Sequence, residues 1–193
     1  VSRPSQIFTI LGVSVPNFSV YFTNFLVVKA LTGLPLEMLR TWPYIQTLVL
    51  KCFLNEKKCS WRELYSGVFA APDMMYGWIY PSFFMVLLVV SIYSTIAPMV
   101  VPFALLYFSL AYYMYKYQLL YVYVNNYQAG GFMWIAAFKY SMLCLLSGVM
   151  TLVCYLAIRR SYLSAPFYAL GPLPVLIYLF MHHTERTFKG PSL

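Results

Sequence analysis

Apolar stretches of about 17 to 25 residues are long enough to cross a hydrocarbon core as helices, and such stretches fill most of this sequence. The charges needed for a water-facing surface are missing: 62% of the 193 residues are hydrophobic and only 9% are charged, against roughly half and a quarter in soluble domains. The bilayer is therefore the expected solvent. The expected fold is all-α, a polytopic transmembrane helical bundle of about five crossings. The 19 Tyr, 15 Phe and 4 Trp fit it, since amphipathic rings settle at membrane interfaces and large apolar rings pack between helices.

The first apolar block runs from Ile7 to Leu50 and is interrupted by Pro16, Lys29, Gly33, Pro35, Glu37, Arg40 and Pro43. A single helix of that length would span roughly 65 Å, about twice the core thickness, so it must break. A lead-in is expected to end near Val15. A crossing helix then runs over 16–50, starting at Pro16, where proline suits a first helical turn, and kinking at Gly33 to Pro35. Residues 51–76 gather Glu56, Lys57, Lys58, Arg62, Glu63 and Asp73 and read as a cytosolic loop, partly an amphipathic segment with Trp61 and Leu64 on the membrane.

Further crossings are expected at 81–97, 100–124, 132–158 and 165–181. Pro98 and Pro102 separate the second from the third as a tight hairpin, and Arg159 and Arg160 close the fourth. If loops alternate sides, Lys51, Lys57, Lys58, Arg62, Lys116, Lys139, Arg186 and Lys189 share one face, which the positive-inside rule makes cytoplasmic, the C terminus with it. The net charge of +8 is thus a topology signal, and no basic stripe for nucleic acid is present. A sequence that opens on Val1 and runs straight into apolar residues is expected to be a piece of a longer chain.

Catalytic patterns are missing: the sequence holds no HExxH, GxSxG, Walker loop or dinucleotide glycine fingerprint, and no closely paired carboxylates. No enzyme activity, cofactor or metal is expected. His182 and His183 are adjacent, so on a helix they point about 100° apart and read as interfacial residues beyond the last helix. Cys52, Cys59, Cys144 and Cys154 lack metal spacing and read as thiols. Ionisable residues inside a crossing stand out, because each costs a few kcal/mol in lipid and usually faces a partner or a water-filled path. Lys29 and Glu37 are such residues. In an ideal helix they lie about 12 Å apart along the axis and roughly 80° around it. With Tyr21, Thr23, Asn24 and Thr32 they make the first crossing the most polar. It either lines an ion path and bends at Gly33 to Pro35, or Lys29 snorkels outward while Glu37 pairs with Arg40.

The run Ile92 to Tyr123, IYSTIAPMVVPFALLYFSLAYYMYKYQLLYVY, resembles the signature stretch of the OSCA/CSC family of osmosensitive (stress-gated), calcium-permeable cation channels. The spacing of Pro98, Pro102, Phe103, Tyr107, Ala111, Tyr112, Tyr115 and the block Tyr117-Gln118-Leu119-Leu120-Tyr121 carries the likeness, with Gly130 and Gly131. Upstream, Pro16, Tyr21, Phe22, Gly33 and the block Leu36-Glu37-Met38-Leu39-Arg40 resemble the family's pore helix. Downstream, Ala165, Pro166 and Phe167 resemble its last crossing.

The resemblance implies an anoctamin-like architecture of about eleven crossings, of which this chain corresponds to the C-terminal part of the channel region. It implies a mechanically or osmotically gated channel in the plasma membrane, a homodimer in full-length form, with membrane lipids and permeating calcium, potassium and sodium as partners. By the same likeness Tyr21 and Phe22 sit at the constriction, Asn24 lines the path, Gly33 is the flexible point and Glu37 attracts cations. Lys29 stands where plant members carry an acid, so it either points away from the path or alters selectivity. A lipid scramblase of the same architecture and a non-conducting membrane assembly subunit are the alternatives. A secondary transporter fits less well, since no repeated pair of broken segments is evident.

Overall fold

A computed structural model of the chain describes residues 17–53, 62, 73–124, 131–158 and 170–189. These form α1 (Ser19–Val28), a π-helical turn (Lys29–Gly33), α2 (Leu34–Leu39), α3 (Thr41–Phe53), α4 (Tyr76–Tyr93), α5 (Val100–Tyr121), α6 (Phe132–Ile158) and α7 (Leu173–Lys189). The fold is all-α. Among the described residues the only extended pairing is an isolated bridge between Asp73 and Val124. Among the described residues three helical runs, Ser19–Val49, Tyr76–Tyr93 and Met133–Ala157, are long and apolar enough to cross a membrane. The lead-in before Pro16, Trp61, Leu64, Cys59, Arg159, Arg160 and Ala165 to Phe167 lie outside the described residues.

The expected kink is more elaborate than one bend. Pro35 has no N–H to give the carbonyl four residues back, and its ring crowds that carbonyl. The turn ahead of it widens accordingly, with the Leu34 N–H bonded five residues back to the Lys29 carbonyl. A second break follows at Arg40, which ends α2 in the left-handed conformation at φ 48° and lets α3 restart at Thr41.

Prolines mark the other boundaries. Pro102 and Pro174 sit in the first turns of α5 and α7, where no donor is required. Pro81 lies inside α4, which therefore begins five residues earlier than the proline suggests; only the bond from position 81 to the Gly77 carbonyl is lost. α6 follows Gly131, whose φ of +87° suits a residue without Cβ. α7 continues through His182 and His183 to Lys189, since Thr184 to Lys189 contains no proline or glycine to stop it.

The described residues fall into two compact units. One contains α4, α6 and α7, with the chain up to Leu26 and as far as Ala104; the other holds Val27 to α3 and Leu105 onward through α5. In the first, α6 packs against both α4 and α7. Helices in lipid associate by close packing, since lipid tails offer no hydrophobic gain. Gly148 permits that approach: a Cβ there would lie 2.7 Å from the Ser91 carbonyl oxygen. Val86, Val89, Tyr93, Cys144 and Met181 are among the buried residues of this unit. The Cys144 thiol points to the Phe84 carbonyl at 3.6 Å, and Lys139 on α6 pairs with Glu185 on α7 at 3.4 Å.

Along α5 runs a packing stripe. Val100, Ala104, Tyr107, Ala111, Met114 and Gln118 are buried at alternating spacings of four and three, the seam of one helix face. Gln118 is the one polar member of that seam.

Candidate functional site

The broken segment holds all six residues singled out in the sequence. Tyr21 on α1 is exposed, its ring edge-on to Phe22 at 5.3 Å. Phe22 is half-buried and lies against Tyr93 of α4 at 4.6 Å between ring centroids. Asn24 is exposed, and nearby Thr23 satisfies its hydroxyl on the Ser19 carbonyl at 2.8 Å.

Lys29 opens the π turn and Gly33 closes it. The Lys29 Cδ lies 3.7 Å from where a Cβ on Gly33 would stand, so the lysine stem runs along the helix over the glycine. The turn also changes the angular relation between Lys29 and Glu37. A turn closed by bonds five residues apart takes in one extra residue, about 100° of helix. The ideal-helix offset of roughly 80° falls to about 20° in magnitude, and the two side chains share nearly one face.

Glu37 is exposed on the last turn of α2, yet it is held at both ends. Its carboxylate Oε2 accepts the Tyr115 hydroxyl at 2.5 Å. Its main-chain carbonyl accepts the Gln118 Nε2 at 3.0 Å and the Arg40 N–H at 3.3 Å. Tyr115 and Gln118 are three apart on α5 and so lie side by side on the helix. The pairing of Glu37 with Arg40, one of the two readings open from sequence, does not occur. The Arg40 guanidinium lies over the Tyr123 ring, 5.1 Å from its centroid, a cation–π contact.

Sequence reasoning did not assign Tyr115, Gln118 or Tyr123 to the site, though all three fall within the stretch that carries the family likeness. A signal was present. Gln118 is a lone amide at a seam position otherwise filled by apolar and aromatic residues, and a polar group there needs a partner. Among the described residues no group of three or more His, Cys, Asp or Glu is placed to hold a metal ion.

Crossing-length apolar helices joined in an all-α fold define a multi-pass integral membrane protein. More narrowly, the chain belongs to the family described as "Calcium-dependent channel, 7TM region, putative phosphate", whose model matches residues 1–156. It is 28% identical over 186 residues to Hyperosmolality-gated Ca2+ permeable channel 2.3 of Arabidopsis thaliana, covering 96% of this chain and 25% of that protein. It is 31% identical over 133 residues to CSC1-like protein ERD4 of Brassica juncea, covering 68% and 18%. With Hyperosmolality-gated Ca2+ permeable channel 1.8 of Arabidopsis thaliana it shares 26% over 187 residues, covering 96% and 22%. The likeness read from the sequence thus holds over most of the chain, which spans about a quarter or less of the length of these relatives.

Proposed function

We propose that this chain forms part of an osmotically or mechanically gated, calcium-permeable cation channel, and that the segment from α1 through α2 borders its ion path. Support for the activity comes from family membership and from the relatives' names as hyperosmolality-gated calcium-permeable channels. One observation carries the site: an exposed carboxylate, Glu37, stands at a helix break within a crossing-length run, with no ion-pair partner among the described residues. A carboxylate at membrane depth is costly without a partner or water, and a path that passes hydrated cations supplies both.

In this reading Tyr21, Phe22 and Asn24 narrow the path upstream, and the π turn at Lys29 to Gly33 is its flexible element, since π turns recur where helices change shape for function. Lys29 shares the face of Glu37 and therefore restrains cation passage. Tension favours the wider state because it occupies more membrane area. The partners are permeating calcium, potassium and sodium and the surrounding lipid. The full-length protein acts as a homodimer in the plasma membrane with its C terminus in the cytoplasm, and no catalytic step is involved.

Stretch-activated currents from the full-length protein test the reading. Glu37→Gln should lower unitary cation conductance, Tyr21→Ala should shift permeation or threshold, and Lys29→Asp should raise calcium permeability. Unchanged conductance, selectivity and threshold in all three would remove the segment from the ion path.

A further inference from the structure

We propose that Tyr115 and Gln118 are positioning residues for Glu37, fixing where a passing cation meets its charge. The proposal rests on the reading that Glu37 borders the ion path. A free glutamate on an exposed helix end spreads its charge over several rotamers, and an electrostatic site acts best when its charge is held in place before the ion arrives. Here both levels of freedom are removed from one helix. Tyr115 binds Oε2 at 2.5 Å and fixes the side chain. Gln118 binds the main-chain carbonyl at 3.0 Å and fixes the backbone of the α2 end, beside the left-handed Arg40.

Three features favour positioning over simple packing. Glu37 Oε1 accepts no bond from the described residues, so one carboxylate oxygen remains for an ion. The nearest cation along the chain, Arg40, lies over Tyr123 and forms no ion pair with the Glu37 carboxylate. Gln118 is only 1% exposed, and its own Oε1 lacks a partner. A buried amide oxygen left unsatisfied is a liability that an apolar side chain would avoid, so the Nε2 bond to Glu37 is what the glutamine adds.

The test is a double-mutant cycle in the full-length protein, with unitary calcium conductance and stretch threshold recorded from excised patches. Tyr115→Phe keeps the ring and removes the hydroxyl. It should lower conductance about two-fold, leave the threshold unmoved, and add nothing in a Glu37→Gln background. An equal drop in both backgrounds would show that Tyr115 acts elsewhere and would overturn the proposal. Wild-type conductance in Tyr115→Phe beside a loss in Glu37→Gln would overturn it while the ion-path reading stands. No change in Glu37→Gln would overturn both. Should Tyr115→Phe fail to reach the membrane, Glu37→Asp decides, because it keeps the charge but withdraws it from the hydroxyl: a similar drop supports positioning, and wild-type conductance refutes it.

Discussion

The segment from Ser19 to Val49 and helix α6 are both apolar and long enough to cross a membrane, yet one is broken twice and the other runs unbroken for 27 residues. The difference begins in local chemistry. α6 contains no proline, and its small polar residues turn back on their own helix: Ser141, Ser147 and Thr151 donate to carbonyls three residues earlier. All its backbone groups can be met internally, as a bilayer demands, and its remaining task is close packing. The broken segment has Pro35 and the turn at Arg40, which free backbone groups that must find donors outside their own helix. Gln118 of α5 supplies one, to the Glu37 carbonyl, and Tyr115 holds the side chain of the same residue. An intact helix can thus be judged on fit alone, while a broken one depends on specific polar partners.

That contrast can be broken at four places. The largest effect is expected where fit is tightest: Gly148→Leu would push a side chain into the Ser91 carbonyl and should cost about 3 kcal/mol, read as a lowered midpoint of thermal unfolding in detergent. If Gly148→Leu unfolded like the unsubstituted protein, α6 would not be held by close approach. Tyr115→Phe should cost about 1 kcal/mol in the same assay, less than is usual for a bond to a charged group, because exposed Glu37 can take water instead. Its conduction defect should therefore exceed its stability defect.

Lys139→Gln removes an ion pair whose lysine is 46% exposed, and a loss of no more than about 0.5 kcal/mol is expected. The smallest effect belongs to Arg40→Gly. Relief of left-handed strain, about 1 kcal/mol, is offset by loss of the Tyr123 contact, about 0.5 to 1 kcal/mol, so the melting midpoint should barely move. A large loss there would mean that the guanidinium, and not the backbone turn, holds the break.

Much of the fold was legible because bilayer physics acts on composition. Long apolar runs, the proline positions and the break near Gly33 to Pro35 follow from residue identity. The boundaries were less legible. Pro81 suggested a helix start but lies within α4, since one lost bond near a helix end is a small cost in an apolar helix with favourable packing. His182 and His183 read as lying beyond the last helix, yet α7 carries them because nothing in the following residues stops it.

Of the candidate site, the sequence supplied Lys29 and Glu37 as ionisable residues in a crossing, but placed them roughly 80° apart by assuming an ideal helix. The π turn, which depends on how Pro35 disturbs the preceding carbonyls, brings them to nearly one face. Composition by itself determined that this chain lies in a membrane as helices, because the cost of exposing so much apolar surface to water follows from residue counts. Only the tertiary structure decided that Glu37 is held by Tyr115 and Gln118 and not by Arg40. Residues 78 and 81 positions apart meet through the packing of separate helices, and no local pattern encodes which donors arrive at a broken helix end.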